Sequence, residues 1–355
     1  SDRDDSPISI VIEGVQGAAI GYDYIILHLS EEEYNGKIIC LGDNQNGQCD
    51  APSTIAISSK QIKLVRTSTT DHIYHLELNQ TSNPSNCNLK VLKVSAGLYH
   101  AAAITECGGL ITWGKEKFGS VLTKESFKNK NEDDLIWYPP TDKNTNNPTK
   151  LVDVACGAKH VIVLDDYGNM YSMGDNRYGS LGRTIFAPER EFTLPEDGNN
   201  ELKTLKNEKK TSLIDNRLEM VEVPSDIRFQ RITSGWYHTV ARGIRSDGTL
   251  VYYGWGRKDL NQYPVDNSEK DSHLPVPLLP LPDGKTIAEV WCGSEFTLAV
   301  DDKDGNLWSC GWNEHGNLGI GKVDSTNKWQ EVLSWKSSKS VRVHLWEGSL
   351  ACGGG

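Results

Sequence analysis

The strongest constraint on the fold is an internal repeat, in which a strand ends at a small residue plus Gly and a ring-bearing residue follows three positions after that Gly. The clearest copies carry His at this position, and an apolar strand continues from it. A unit of this kind buries its core only by stacking against neighbouring copies. The repeat therefore predicts one architecture of stacked units. The copies are Ala18–Leu27 (with Tyr as the ring), Val94–Ile104, Val154–Leu164, Ile232–Ala241 and Val290–Val300.

Each well-formed unit continues into a hairpin and then into a glycine-rich segment. The turns Asp165–Gly168 and Lys303–Gly305 end in Gly, which accepts positive φ. A further strand and a glycine-rich close follow, as in Met170–Gly182 and Leu307–Gly319. Short strands, tight turns and a long period are typical of a β-propeller. We predict an all-β chain with a single propeller domain over residues 1–355.

The anchor glycines, with one Ser in the same role, predict seven blades. The copy at Ser68 is degenerate, and the printed sequence stops inside the copy at Gly353, so we expect strands beyond both ends to close the native ring. Long polar insertions over 115–150, 184–228 and 258–285 separate the units, and their mixed charges predict solvated loops. The anchors are Gly21, Ser68, Gly97, Gly157, Gly235, Gly293 and Gly353.

The charge balance restricts the classes of partner. Lys and Arg total 37 against 48 Asp and Glu, which gives a formal net charge of −11. A broad nucleic-acid-binding face needs a basic stripe to neutralise phosphates, so we predict no direct sequence-specific binding to DNA. No apolar stretch is long enough to span a bilayer, so we expect no membrane partner.

The cysteines do not have the spacing of a structural metal site, because no two are separated by only two residues. We therefore predict no metal site and no cofactor. Cys156, Cys292 and Cys352 precede anchor glycines, where Ala96 and Ser234 stand in other copies. A position that accepts Cys, Ala or Ser favours a small buried group, and unpaired cysteines indicate a reducing compartment.

The histidines of the repeat predict packing and not catalysis. His100, His160 and His238 share their position with Tyr24 and Phe296, which cannot do the same acid–base chemistry. We expect buried rings whose nitrogens satisfy backbone groups between blades. No local nucleophile motif accompanies them, so we predict no catalytic residues and no enzyme activity.

The repeat resembles that of the regulator-of-chromosome-condensation family. The segments that carry the resemblance are Ala155–His160, Ser234–His238 and Gly174–Gly182. The family resemblance implies a seven-bladed propeller but leaves function open, because the family includes exchange factors, plant ultraviolet receptors and regulatory subunits. Gly311–Asn317, with Cys352–Gly354, is similar to a fungal group, the alpha-tubulin suppressor or killer-toxin-insensitivity propellers.

The fungal resemblance implies a non-enzymatic scaffold or regulatory subunit of the cytoplasm and nucleus. Such a subunit would form a heterodimer with a small Cys-rich protein that binds zinc or iron. The pair would support diphthamide synthesis and, through the Elongator complex, modification of wobble uridines in transfer RNA. The alternative is an exchange factor or effector for a small GTPase, because secretion-linked exchange-factor-like proteins share the motif around Trp312 in Gly311–Asn317. Photoreception is disfavoured, since the receptor motif occurs only at Gly235–Thr239, with Tyr237 in place of its Arg.

A cluster in the last glycine-rich close is the best candidate for partner binding. Trp312, Glu314 and His315 place an aromatic, an acid and an imidazole together, and Trp236 and Tyr237 of the preceding unit join them as candidates. Aromatic anchors surrounded by polar groups are common in protein interfaces. With one His nearby, the cluster would hydrogen-bond a partner without ligating metal. The open alternative is that Trp312 packs between blades while Glu314 and His315 are solvated.

Overall fold

Strands separated by short turns make up almost all of the regular structure. The computed structural model describes residues 9–11, 14–30, 36–52, 56, 62–66, 73–78, 90–126, 136–141, 147–185, 213–266 and 271–332. Single turns of 3₁₀ helix occur at Glu116–Phe118, Lys124–Ser126 and Pro282–Gly284. The strands are β1 (Ser9–Val11), β2 (Val15–Ile20), β3 (Tyr24–Leu29), β4 (Ile38–Gly42), β5 (Ile62–Arg66), β6 (Ile73–Leu78), β7 (Val91–Ala96), β8 (His100–Thr105), β9 (Leu110–Gly114), β10 (Leu151–Cys156), β11 (His160–Asp165), β12 (Met170–Asp175), β13 (Ile214–Met220), β14 (Ile227–Ser234), β15 (His238–Arg245), β16 (Leu250–Arg257), β17 (Asp271–Pro277), β18 (Ile287–Cys292), β19 (Phe296–Asp301), β20 (Leu307–Gly311) and β21 (Thr326–Glu331).

Five sheets are antiparallel meanders of consecutive strands, and we number them as blades 1 to 5. Blade 1 is β2–β4, blade 2 is β7–β9, blade 3 is β10–β13, blade 4 is β14–β17 and blade 5 is β18–β21. In a sixth sheet the hairpin β5–β6 pairs in parallel with β1. The all-β propeller is confirmed.

The predicted number of seven blades is wrong for the described residues, which form five meander blades. Five of the anchors, Gly21, Gly97, Gly157, Gly235 and Gly293, follow the first strand of a blade. Ser68 and Gly353 lie outside the described residues, and they belong to the two least complete copies of the repeat.

The first strand of each blade lies innermost. β2, β7, β10, β14 and β18 contact one another in chain order, while the later strands of each meander extend outward. The anchor glycines at the ends of these strands line a shared cavity of about 230 Å³ at one end of the axis. Gly157, Gly235 and Gly293 thus occupy equivalent positions beside this cavity.

The spacing of Gly and ring in the repeat has a direct structural cause. In every blade the anchor glycine N–H donates to the carbonyl of the ring-bearing residue, as from Gly157 to His160 at 2.9 Å and from Gly293 to Phe296 at 2.8 Å. This tight turn folds the ring back over the glycine. A Cβ on Gly157 would lie 2.0 Å from His160 Cε1, so only a residue without a side chain fits.

The cores lie between blades as well as within them. One apolar cluster joins blades 2 and 3 through Leu110, Val154 and Tyr171, and further clusters join blades 3 to 4 and 4 to 5. Tryptophan N–H groups extend these joints: Trp113 donates to Gln48 O at 2.9 Å, and Trp255 donates to Ser180 O at 3.0 Å. Each blade therefore buries a face that it could not bury alone.

The predicted buried rings are confirmed, but the described partners of two imidazoles are hydroxyl groups rather than backbone. His160 Nε2 lies 3.2 Å from Thr239 Oγ1, and His238 Nε2 lies 3.3 Å from Thr297 Oγ1, each across a blade boundary. Burial lowers the pKa of His160 and His238 to about 3, and that of His100 to about 4. These rings are neutral structural groups at neutral pH.

The insertions predicted to be solvated loops contain regular structure. β13 lies within 184–228 and β17 within 258–285, and each is the outer strand of its blade. In the first insertion, Trp137 exchanges two backbone hydrogen bonds with Leu110 of blade 2, at 2.8 and 3.0 Å. Among the described residues no helix is long and apolar enough to cross a membrane.

Candidate protein-docking face

Two sets of loops meet at the end of the propeller where the anchor glycines lie. The turn after the first strand and the glycine-rich loop after the third are held together by backbone hydrogen bonds. Asp175 N–H donates to Lys159 O, and Trp312 N–H donates to Glu295 O, both at 2.9 Å. The same bond recurs from Arg257 to Tyr237. We call this end the anchor-turn face.

A row of three backbone hydrogen bonds joins blades 2 to 5 along the cavity mouth. In blades 2, 3 and 4 the residue after the anchor glycine donates its N–H to the carbonyl of its counterpart in the next blade. Leu98 donates to Ala158 at 3.2 Å, Ala158 to Trp236 at 2.8 Å, and Trp236 to Ser294 at 2.9 Å. The geometry of the face is therefore set by backbone, and loops on it are carried by a rigid frame.

Asn313 holds the loop that carries three of the predicted site residues. This side chain is completely buried, accepts the Leu318 N–H at 2.9 Å, and donates to the carbonyls of Lys322 and Asp324 at 2.7 and 3.2 Å. Sequence reasoning missed it, although Asn44 and Asn176 stand at the same point of earlier repeats and accept equivalent bonds.

The structure brings Trp312 and His315 together. Trp312 is half-buried, and its ring meets the exposed His315 edge-to-face with centroids 5.0 Å apart. This contact lies within the loop itself and leaves an aromatic–imidazole pair on the surface. Glu314 is exposed beside the pair. A part in partner binding stays a prediction for these three residues.

Trp236 and Tyr237 lie on the same face but in different surroundings. Trp236 is half-buried and lines the cavity mouth. Tyr237 packs edge-to-face on Tyr178 of blade 3, with centroids 5.0 Å apart, and burial raises its pKa. They share a face with Trp312 without forming one compact cluster with it.

A polar network that the sequence did not predict links these two parts of the face. Arg257 Nη1 lies 3.0 Å from Glu295 Oε1, and Gln262 Nε2 donates to Glu295 Oε2 at 2.7 Å. The Arg257 guanidinium also lies 5.0 Å from the centre of the Tyr178 ring. Burial raises the pKa of the Glu295 carboxyl, while Gln262 and Arg257 oppose that effect. Blades 3, 4 and 5 are thereby connected at their exposed end.

The repeat contained a signal for this network. In each of the five blades, the residue after the third-strand glycine donates its backbone N–H to a carbonyl of the anchor turn. This residue is Arg257 in blade 4 and Trp312 in blade 5. The same position is occupied by Asp43, Lys115 and Asp175 in blades 1, 2 and 3. Comparing this one position across copies identifies the side chains that decorate the face.

Within the described ranges, no group of three His, Cys, Asp or Glu side chains could hold a metal ion. Cys156 and Cys292 are buried at the ends of their strands, and their backbone N–H groups donate to Ser95 Oγ and Thr233 Oγ1 at 2.9 and 3.0 Å. The packing interpretation of these two residues is confirmed. Cys352 lies outside the described residues.

Comparison with known proteins identifies the type of repeat. Residues 151–180 and 287–317 match the model of the regulator of chromosome condensation (RCC1) repeat, and these segments lie in blades 3 and 5. The chain is a propeller built from RCC1 repeats. The narrower resemblance to the fungal group stays a prediction.

Relatives of this RCC1-repeat chain have different functions in their names. It is 30% identical to the ultraviolet-B receptor UVR8 of Arabidopsis thaliana over 67% of this chain and 45% of that protein. It is 28% identical to a secretion-regulating guanine nucleotide exchange factor of Bos taurus over 86% of this chain and 57% of that protein. The chain thus spans about half the length of these curated relatives.

A solved structure supports the fold of the RCC1-repeat chain. Human WBSCR16 matches with a TM-score of 0.51 and 17% identity, over 90% of this chain and 81% of that one. This likeness is one of architecture.

Proposed function

We propose that this RCC1-repeat chain is a non-enzymatic regulatory subunit that binds a protein partner through its anchor-turn face. The observation that carries the proposal is a set of aromatic and charged side chains on the loops and strand ends of two adjacent blades: Trp236, Tyr237, Arg257 and Trp312. Interfaces are enriched in aromatic residues and Arg, and such residues dominate binding energy. The repeat histidines are buried, which keeps them from substrate.

The first candidate partner is a small Cys-rich protein that binds zinc or iron, in the service of diphthamide synthesis and Elongator-dependent modification of transfer RNA. The resemblance of Gly311–Asn317 to the fungal propellers supports this candidate. The half-buried Trp312 and the exposed His315 suit packing and hydrogen bonding to a small partner that supplies its own metal ligands.

The second candidate is a small GTPase, with this chain as exchange factor or effector. The relative named as a guanine nucleotide exchange factor, which aligns with 86% of this chain, favours it. Exchange would require an acidic or wedge-like loop that displaces the nucleotide phosphates and magnesium. Glu314 is exposed on the anchor-turn face and could serve in such a loop.

Affinity purification of the full chain followed by quantitative mass spectrometry separates the candidates. Enrichment of one small Cys-rich protein supports the first, and enrichment of a GTPase supports the second. For a GTPase, accelerated release of a fluorescent nucleotide from the purified protein would identify exchange. If no protein is enriched above a mock purification, the proposal of a regulatory subunit fails.

Substitutions in the loop of blade 5 test the docking face. We expect Glu314→Lys or His315→Ala to weaken partner binding, while the free energy of unfolding changes by no more than about 1 kcal/mol, as for ordinary surface substitutions. Asp302→Lys is the matched control, because Asp302 is exposed in the hairpin turn at the opposite end of the same blade. Calorimetric titration with the purified partner and urea unfolding measure the two effects.

Unfolding of either loop variant would show that the segment is structural. Normal binding by both folded variants would place the interface elsewhere, and the long insertions would be examined next.

A further inference from the structure

Next to the predicted site, blades 2 and 3 form a basic patch around two stacked aromatic rings. The rings of Tyr99 and Phe118 lie 6.4 Å apart with an interplanar angle of 22°. Lys115 Nζ is 5.0 Å from the centre of the Tyr99 ring, and Lys159 Nζ, from the next blade, is 4.4 Å from the centre of the Phe118 ring. Lys117 is exposed beside them. We call these five residues the lysine–aromatic patch.

The fold places these side chains by the same rules as the rest of the anchor-turn face. Tyr99 and Lys159 belong to the anchor turns of blades 2 and 3, and Lys115 follows the third-strand glycine of blade 2. Phe118 ends a 3₁₀ turn that stops at Gly119, whose φ of 69° is left-handed. The patch therefore bridges two blades on the anchor-turn face.

The positive charge of the patch is not neutralised within the described part of the chain. Lys115 Nζ donates to the amide oxygen of Asn46 at 2.7 Å, and no ion pair to a described carboxylate is present for Lys115, Lys117 or Lys159. Asp175, the nearby buried carboxylate, is paired with Arg177. Burial lowers the pKa of Lys159, and the neighbouring cations Arg177, Lys117 and Lys115 lower it further, while Asp175 opposes them.

Three neighbouring lysines without an ion-pair partner among the described residues, in a chain of net charge −11, indicate an anionic ligand with a small footprint. We propose that the lysine–aromatic patch docks an acidic segment of a protein partner. Its carboxylates would lie against Lys115, Lys117 and Lys159, and its apolar side chains against the edges of Tyr99 and Phe118. The inference rests on the proposed function and adds the chemistry of the partner.

The geometry favours a peptide over single-stranded nucleic acid. Proteins that bind single-stranded nucleic acid stack the bases on open faces of aromatic side chains. Here Tyr99 and Phe118 cover one face of each other, and Lys115 and Lys159 lie over the rings. The acidic balance of the whole chain also repels an extended polyanion. Glu116, exposed in the same 3₁₀ turn, further limits the patch to a short contact.

Fluorescence anisotropy with the full chain tests the proposal. The probe is a short fluorescein-labelled peptide of glutamates with two leucines, and its glutamine counterpart is the uncharged control. We expect binding of the glutamate peptide that weakens as salt is added. Lys117→Glu, and separately Lys115→Glu with Lys159→Glu, should each weaken binding by about tenfold or more, because charge reversal replaces attraction with repulsion.

Lys303→Glu is the matched control, since Lys303 is exposed in a hairpin turn at the opposite end and carries the same change of charge. Equal peptide binding by the patch variants and wild type overturns the proposal, as does equal binding of the glutamine peptide. Tighter binding of a polyuridine oligonucleotide, lost in the patch variants, also overturns it in favour of RNA. Lys117 is exposed, so the Lys117→Glu variant keeps the test valid if the variant with Lys115→Glu and Lys159→Glu misfolds.

The two proposals fail separately. The peptide assay needs no natural partner, so a purification that captures no protein would end the proposed function and leave the anisotropy result standing. Capture of a partner with equal yield by wild type and the patch variants would overturn the patch and leave the regulatory subunit intact.

Discussion

Gly157→Val is expected to destabilise the propeller by about 3 kcal/mol, a large effect for one substitution. The first side-chain atom would lie 2.0 Å from His160 Cε1 and 2.5 Å from its Nδ1. Relief would require the ring to leave its place over the turn and the hydrogen bond from Gly157 to His160 to break. The measurement is urea unfolding followed by far-ultraviolet circular dichroism.

Gly248→Ala is the informative control. Gly248 has a φ of 86°, but a Cβ there would meet nothing within 4 Å, so its cost of about 1 kcal/mol reflects backbone conformation alone. Gly157 is not one of the described glycines with a positive φ. The expected loss of stability at Gly157 is therefore steric and does not come from lost backbone freedom. A wild-type midpoint for Gly157→Val would contradict the ring-over-glycine account.

A steep loss of stability in mild acid is the second large effect expected. His100, His160 and His238 are at most 1% exposed, and burial lowers their pKa values from 6.5 to about 4, 3 and 3. Below pH 6.5 the unfolded chain takes up protons that the folded chain does not. The stability that these neutral rings contribute is therefore fully present above pH 6.5 and is lost as the pH falls towards 4 to 3.

Between pH 7 and 5.5 the unfolded imidazole, with a pKa of 6.5, is only partly protonated, so each ring should contribute a mean slope of about 0.8 kcal/mol per pH unit and the three together about 2.5 kcal/mol per unit. Urea midpoints between pH 7 and 5.5 measure this slope before most carboxylates titrate. His238→Phe is the matched variant, because Phe296 occupies the same position in blade 5. It should remove about a third of the slope. An unchanged slope would show that His238 is not the titrating group.

The parts of the fold that depend on local spacing could be predicted from the sequence. The anchor glycine and the ring three residues later contact each other directly, so their spacing is itself the structure. The outer strands could not be found in this way. β13 reads Ile-Asp-Asn-Arg-Leu-Glu-Met, and β17 contains two prolines; both are edge strands that need little apolar alternation. The first four residues of the proline-rich segment that begins at Leu274 are the last four residues of β17.

The same distinction between local and distant contacts applies to the candidate site. Trp312 and His315 are close in sequence, and their contact could be expected. Arg257 and Glu295 are 38 residues apart, and Lys115 and Lys159 belong to different blades, so only the stacking of adjacent blades brings each pair together. The overall acidic charge also concealed a local basic patch, since a net charge carries no information about placement.

The row of three hydrogen bonds along the cavity mouth uses only N–H and carbonyl groups. The side chains at those positions, Leu98, Ala158, Trp236 and Ser294, are chemically unrelated, yet the bonds between them are equivalent. At these positions the joints between blades are thus made by backbone atoms alone. Ala158 and Ser294 are buried, but the half-buried Leu98 and Trp236 could be exchanged to build new binding specificities at the mouth while the joints between blades stay closed.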